Sequence, residues 1–262
     1  MTRRRGSLTA VGVGIRAPGQ ATLEASSQIE RAEKVFTIVA DPLAEYWIRK
    51  LNANTEPLGP LYAVGKPRKQ TYREMVERIT QGVREDLRVC AVSYGHPGIF
   101  AYPLHESIRV LRNEGYRAEM LPGISAADCF FAELGIDPAV AGCRSYEATE
   151  FLVYRRAHDT TTGLMLWQIG SIAEVGYRTT DEAWNLEALV VLSERLLEAY
   201  PPDHEVIVFE AARYPLGNSS VARVPLSRLA KAGVTLLSTL YVPPVCTPTV
   251  DRITARRLGL VS

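Results

Sequence analysis

Residues 88–100 read RVCAVSYGHPGIF, and this stretch decides the fold. Arg88 to Ser93 is a short apolar run, too brief for a helix and suited to a strand buried on both faces. It breaks at Tyr94-Gly95-His96-Pro97-Gly98. Two glycines there let backbone approach a neighbour or a ligand without side-chain bulk, and Pro97 stiffens the loop. Leu104 to Asn113 then has helical spacing and stops near Gly115. The whole is one strand–turn–helix unit.

Working outward, the unit repeats. Leu8 to Gly14 is an apolar strand followed by helical spacing from Ala21 to Glu33. Val35 to Ala40 is a second strand. Tyr72 to Val83 is amphipathic, with Met75, Val76 and Ile79 on one stripe and Arg73, Glu74, Glu77 and Arg78 on the other. Tyr116 to Leu121 is a strand ending at Pro122-Gly123, and Ser125 can cap the next helix. Strands alternating with helices predict a parallel sheet covered on both faces. Between Leu51 and Thr71 the chain reads as a long Pro-rich loop, a length that points to a functional segment.

The turn signal Gly135-Ile136-Asp137-Pro138 divides the chain into residues 1–137 and 138–262. The second part mixes strands (Gly163 to Ile169, Glu205 to Ala211, Val221 to Val224, Thr235 to Val242) with one long helix, Thr180 to Tyr200. That predicts an α/β protein of two lobes: a parallel-sheet N-terminal lobe and a mixed α+β C-terminal lobe.

The 262 residues are 47% apolar and 23% charged, values of a globular chain with a sizeable core. A net charge of +1 offers no broad surface for nucleic acid. The cluster Arg3, Arg4, Arg5 reads as a solvated tail. No apolar run reaches membrane-spanning length. Cys90, Cys129, Cys143 and Cys246 are far apart, and His96, His105, His158 and His204 lack ligand spacing. No metal site is expected, and the thiols read as buried and reduced in a cytoplasmic protein. Trp47, Trp167 and Trp184 read as packing aromatics, His105 and His158 as surface or capped residues, and Asp128 and Glu133 as a solvated helix face.

Two glycine turns follow strands, where ligands of open α/β sheets bind. The first, Gly12-Val13-Gly14-Ile15-Arg16-Ala17-Pro18-Gly19, is a poor dinucleotide fingerprint: its third glycine is misplaced and Pro18 interrupts the helix start. The second, Tyr94 to Phe100, reads equally as a ligand loop or as a rigid turn.

Together these turns resemble the tetrapyrrole-methylase superfamily. Its Gly-x-Gly-x-x-x-Gly turn and following Thr are matched loosely by Gly12, Gly14, Gly19 and Thr22. Its usual Gly-Asp-Pro is Gly95-His96-Pro97 here, and Pro122-Gly123-Ile124-Ser125-Ala126 is similar to its Pro-Gly-x-Ser element. The His96 departure, with Glu114 to Ala126 and Leu166-Trp167-Gln168-Ile169-Gly170, resembles the borosin-type peptide backbone N-methyltransferases. That branch also has a Tyr, an Arg six residues on and a Tyr four beyond, matched by Tyr62, Arg68 and Tyr72.

The resemblance implies S-adenosylmethionine as cofactor, bound between the lobes, with S-adenosylhomocysteine as product. It implies cofactor contacts at Tyr94, Gly95, His96, Ile99, Phe100, Ser125, Ala126, Gln168, Ala212, Ser238 and Thr239. It implies a homodimer, or a heterotetramer with two precursor chains. The chain ends at Ser262, shortly after Pro243-Pro244, without a substrate tail, so the expected partner is a separate precursor peptide.

The trio suits the chemistry. An amide nitrogen is a poor nucleophile because its lone pair is delocalised into the carbonyl. A phenol near a guanidinium can act as general base, which suggests Tyr72 beside Arg68. Tyr62 can then donate to the carbonyl oxygen as charge develops. The two tyrosines can exchange roles. Two other functions fit the same motifs: methylation of a tetrapyrrole or corrin ring, and a cofactor-binding regulatory subunit without chemistry.

Overall fold

The computed structural model describes residues 6–174, 176, 185–214 and 216–260. Arg3 to Arg5, Trp184 and the start of the expected helix from Thr180 lie outside the described residues. The chain divides into two compact units. The first comprises the chain up to Ile136 with Glu174, Gly176 and the stretch Ala211–Ser220. The second takes in Asp137–Ala173, the described residues up to Glu210, and the chain from Val221.

The first unit runs β1 (Ser7–Gly12), α1 (Leu23–Arg31), β2 (Lys34–Ile38), α2 (Pro42–Leu51), β3 (Thr55–Pro57), α3 (Arg68–Arg84), β4 (Arg88–Ser93), α4 (Tyr102–Asn113), β5 (Arg117–Met120) and α5 (Ala126–Leu134). Its sheet has the order β3-β2-β4-β1-β5, and every pairing with a recorded register is parallel, as in Leu8 opposite Val89 and Val35 opposite Cys90. The period-two alternation of strands splits the core in two. Leu8, Ala10, Phe36, Val89 and Ala91 meet Met75, Ile79 and Val83 of α3 and Leu104 and Leu111 of α4. Val11, Val35, Cys90 and Val92 meet Ala25 and Ile29 of α1 and Ile48 of α2. Each such large side chain contributes about 1.5–3 kcal/mol by leaving water, so both faces are firmly covered.

The expected Leu51–Thr71 loop is corrected. α2 ends at its start, a three-residue strand lies within it, Gly59–Leu61 forms a 3₁₀ turn, and α3 already begins at Arg68. β3 is legible only in three dimensions. It is short, lies at the sheet edge and ends in Pro57, which an edge strand tolerates. α2 escapes a periodicity reading because it buries just Ala44 and Ile48, although Asp41 caps it and Pro42 opens it.

The second unit contains α6 (Pro138–Ala141), β6 (Cys143–Glu147), α7 (Ala148–Val153), β7 (Gly163–Trp167), α8 (Leu186–Leu197), β8 (Glu205–Glu210), β9 (Ser220–Pro225, its first residue shared with the first unit), β10 (Thr239–Val242) and α9 (Arg252–Arg257). Its sheet is mixed, in the order β6-β7-β10-β8-β9, with β6 parallel to β7 and β10 antiparallel to β7 and β8. Leu189, Leu192 and Leu196 of α8 pack with Leu164, Leu166, Val206, Val208 and Leu240.

Two side-chain expectations change, those for Cys246 and His158, whereas Trp167 packs as its sequence reading expects. Cys246 is exposed, unlike Cys90 and Cys129. His158 is half-buried and stacked on Tyr200 with ring centroids 5.6 Å apart, because it follows α7 into the core rather than leaving it. Trp167 is buried and donates to the Ser145 hydroxyl. No helix among the described residues is long and apolar enough to cross a membrane.

Candidate active site

Three turns converge beyond the carboxyl ends of β1, β4 and β5. Gly14 and Gly95 exchange backbone hydrogen bonds, Gly95 N to Gly14 O at 2.9 Å and Gly14 N to Gly95 O at 3.3 Å. A methyl group on Gly12 would drive into the Gly95 carbonyl oxygen, and one on Gly123 would sit 3.2 Å from Pro97 Cδ. Backbone packs directly on backbone here, which explains the glycines. The first turn is not a phosphate cradle: the Gln20 Oε1 atom already accepts the Ile15 and Arg16 N–H groups at 2.8 and 2.9 Å. Those are the donors that an anion would need.

The second turn is held from within. His96 Nδ1 accepts the Gly98 N–H at 2.9 Å, and the Ile99 N–H donates to the His96 carbonyl at 3.2 Å. The ring thus does what a carboxylate does in an Asx-type turn, and its proton resides on Nε2. Tyr94, Ile99 and Phe100 stand out from the loop with large exposed surfaces. Phe100 has φ of 52°, a left-handed conformation costing about 1–3 kcal/mol for a residue other than glycine, and such conformations gather at functional sites.

At the third turn, Ser125 caps α5. Its Oγ accepts the Asp128 N–H at 3.3 Å and donates to Asp128 Oδ2 at 2.6 Å, while its own N–H donates to Oδ2 at 2.7 Å. Ala126 is the first residue of that helix. Ala212 is buried, and its N–H donates to Ser219 Oγ at 2.9 Å.

In the second unit, Gln168 follows β7 with φ of 59°, the second left-handed residue other than glycine among the expected contacts. Ser238 and Thr239 are both buried, Ser238 directly before β10 and Thr239 at its start, and β10 is the antiparallel neighbour of β7. Gly170 joins the two segments, since a methyl group there would strike the Thr235 carbonyl. Glu210, which sequence reasoning overlooked, accepts from Ser238 Oγ at 2.6 Å and Thr235 Oγ1 at 2.5 Å and so fixes this turn.

Tyr62 and Tyr72 meet edge to face, with ring centroids 6.4 Å apart and planes at 85°. Both are half-buried against the core face that includes Ile38, Ala101 and Met120. Arg68 opens α3 one turn before Tyr72, so the two share a helix face. The bridge between Pro67 and Gly176 fixes where that helix begins. A further aromatic completes the cluster: Tyr102 lies 6.0 Å from Tyr72, centroid to centroid. Tyr102 begins α4, two residues after Phe100, so the cluster abuts the glycine loop. The sequence held a signal for it, an aromatic directly after the loop, but no spacing rule marks it. Among the described residues no three His, Cys, Asp or Glu side chains form a metal-binding group.

Residues 7–230 match the family of tetrapyrrole (corrin/porphyrin) methylases. The chain belongs to that family. Among curated proteins it is similar to the methyltransferase/ribosomally synthesized cyclic peptide gymnopeptides precursor of Gymnopus fusipes, 41% identical over 99% of this chain and 62% of the relative. It is 38% identical to the corresponding omphalotin A precursor of Omphalotus olearius, over 98% of this chain and 62% of that one. It is also 40% identical to a type III borosin cyclic peptide precursor of Anomoporia bombycina, over 98% of this chain and 30% of that one. The chain therefore spans less than two thirds of the length of these relatives. In fold it is similar to the uroporphyrin-III C-methyltransferase of Thermus thermophilus, with a TM-score of 0.65 at 19% identity and 98% of each chain covered. Cobalt precorrin-4 methyltransferase superimposes with a TM-score of 0.63 at 16% identity, over 91% of this chain and 95% of that one. The family and borosin resemblance read from the turns is thereby borne out, as is the two-lobed α/β fold.

Proposed function

We propose that the protein is an S-adenosylmethionine-dependent methyltransferase that N-methylates backbone amides of a ribosomal precursor peptide. The observation that carries this reading is the 6.0 Å approach of Tyr72 to Tyr102, which sets the trio beside the loop of the expected cofactor contacts. Borosin precursors among the relatives support a peptide substrate. The residues fit the cofactor on one observation: Tyr94, Ile99 and Phe100 are exposed around a loop whose Gly95 carries no side chain.

When bound, S-adenosylmethionine supplies an electrophilic methyl group. Tyr72, reacting as the phenolate, takes the proton from the amide nitrogen and becomes the phenol, which frees the lone pair that resonance otherwise holds in the carbonyl. Tyr62 donates a hydrogen bond to the carbonyl oxygen as it gains negative charge, and Arg68 adds positive charge on the same side. The Tyr62–Tyr72 edge-to-face contact holds both phenols in one geometry, and fixed geometry is worth much of the barrier in a two-reactant step. Tyr102 backs Tyr72 from the loop side.

The trio and the loop lie within the stretch that matches the methylase family, and in this reading the precursor is a separate chain. The test is incubation with S-adenosylmethionine and a candidate precursor peptide, read by intact mass. The reading predicts gains in steps of one methylene on the peptide; an unchanged peptide mass with a bound cofactor would contradict it.

A further inference from the structure

His105, on the exposed side of α4, reads from sequence as a surface residue, yet its ring nitrogen Nε2 lies 2.9 Å from the Gly98 carbonyl oxygen. A carbonyl can only accept, so Nε2 donates. On the other side of the same residue, the Gly98 N–H donates to His96 Nδ1 at 2.9 Å. Both backbone groups of Gly98 are thus taken by imidazoles, one from within the loop and one from the helix that follows it. Gly98 is also tightly enclosed: a methyl group there would lie 2.9 Å from Met120 Sδ and 3.2 Å from His96 Cε1.

We propose that His105 is a positioning residue for cofactor binding, clamping with His96 the two backbone groups of Gly98 so that the loop presents Ile99 and Phe100 in one arrangement. The clamp is needed because Phe100 is left-handed. A strained conformation persists only where its surroundings over-determine it. Gly98 precedes Phe100 by two residues, and the bond from His105 spans the strained position from the start of α4. The backbone bonds Leu104 N to Ala101 O and His105 N to Ala101 O fix that start, so the donor comes from a rigid element. Without the His105 bond, the Gly98 carbonyl turns to water and the loop relaxes from the ligand-ready form.

This inference rests on the proposed reading of the loop as cofactor-binding. The test is calorimetric titration with S-adenosylhomocysteine of the unaltered protein, His105→Ala and His105→Gln. Gln places a donor nitrogen near the position of Nε2, and His105 is exposed, so neither change disturbs the core. The clamp predicts about tenfold weaker binding by His105→Ala, a binding free energy lower by about 1.4 kcal/mol. His105→Gln should recover most of that loss, with the thermal midpoint of the free protein held within about 2 °C in both. Equal affinities for His105→Ala and the unaltered protein overturn the clamp, as does a loss that His105→Gln fails to recover. No binding by the unaltered protein overturns the cofactor reading instead, and the inference with it.

Discussion

The rings of Tyr72 and Tyr102 approach to 6.0 Å with planes tilted by 31°, and this contact ties α3 to the loop that ends at α4. It makes the Tyr62–Tyr72–Tyr102 cluster one wall rather than three separate aromatics.

If Tyr72 is the base, Tyr72→Phe removes the proton acceptor while keeping the ring contacts. Loss of a general base costs about 10²- to 10⁴-fold in turnover. Turnover should fall by that order with the affinity for S-adenosylhomocysteine unchanged, as checked by methyl-transfer kinetics and calorimetry. Tyr62→Phe should cost less than Tyr72→Phe; the reverse order would exchange their roles.

In the proposed mechanism Tyr102 contributes its ring contact with Tyr72 and no proton transfer. Tyr102→Phe should leave turnover within about twofold, whereas Tyr102→Ala removes an aromatic contact of about 0.5–1.5 kcal/mol. The latter should lower kcat by about tenfold with a smaller change in KM, as steady-state kinetics will show.

Gly12→Ala forces a methyl group into the Gly95 carbonyl, whereas nothing lies within 4 Å of a methyl group at Gly59. Overpacking of this kind costs about 1–3 kcal/mol. The thermal midpoint should drop by several degrees for Gly12→Ala and hardly move for Gly59→Ala, measured by scanning calorimetry.

Burial pushes the Cys90 thiol up from 9.0 to about 12 and the Tyr200 phenol up from 10.0 to about 12. The folded state then holds protons that the unfolded chain releases, so stability is full below about pH 9 and falls as pH rises towards 12. Urea midpoints should hold between pH 8 and about pH 9 and decline from there to pH 11. At pH 8 a thiol reagent should modify exposed Cys246 at once and Cys90 only on unfolding.

Much of this molecule is legible in its residues. Strands such as Arg88–Ser93 declare themselves by continuous apolar runs, and Ser125 by its cap. The edge strand Thr55–Pro57 does not, because three residues carry no period and sheet pairing alone orders them. The trio is picked out by the spacing it shares with the borosin branch, but its neighbour Tyr102 comes from another helix, and such contacts leave no mark in sequence order. His105 illustrates the same limit: an exposed histidine looks idle until its carbonyl partner, seven residues back, is known.

The proposed mechanism requires a paired phenol to make a peptide nitrogen reactive. The most direct test is fragmentation mass spectrometry of a precursor peptide after incubation with S-adenosylmethionine and either the unaltered protein or Tyr72→Phe. Methyl groups are expected on backbone nitrogens with the former and none with the latter. Methyl groups confined to side chains, or undiminished backbone methylation by Tyr72→Phe, would contradict the mechanism.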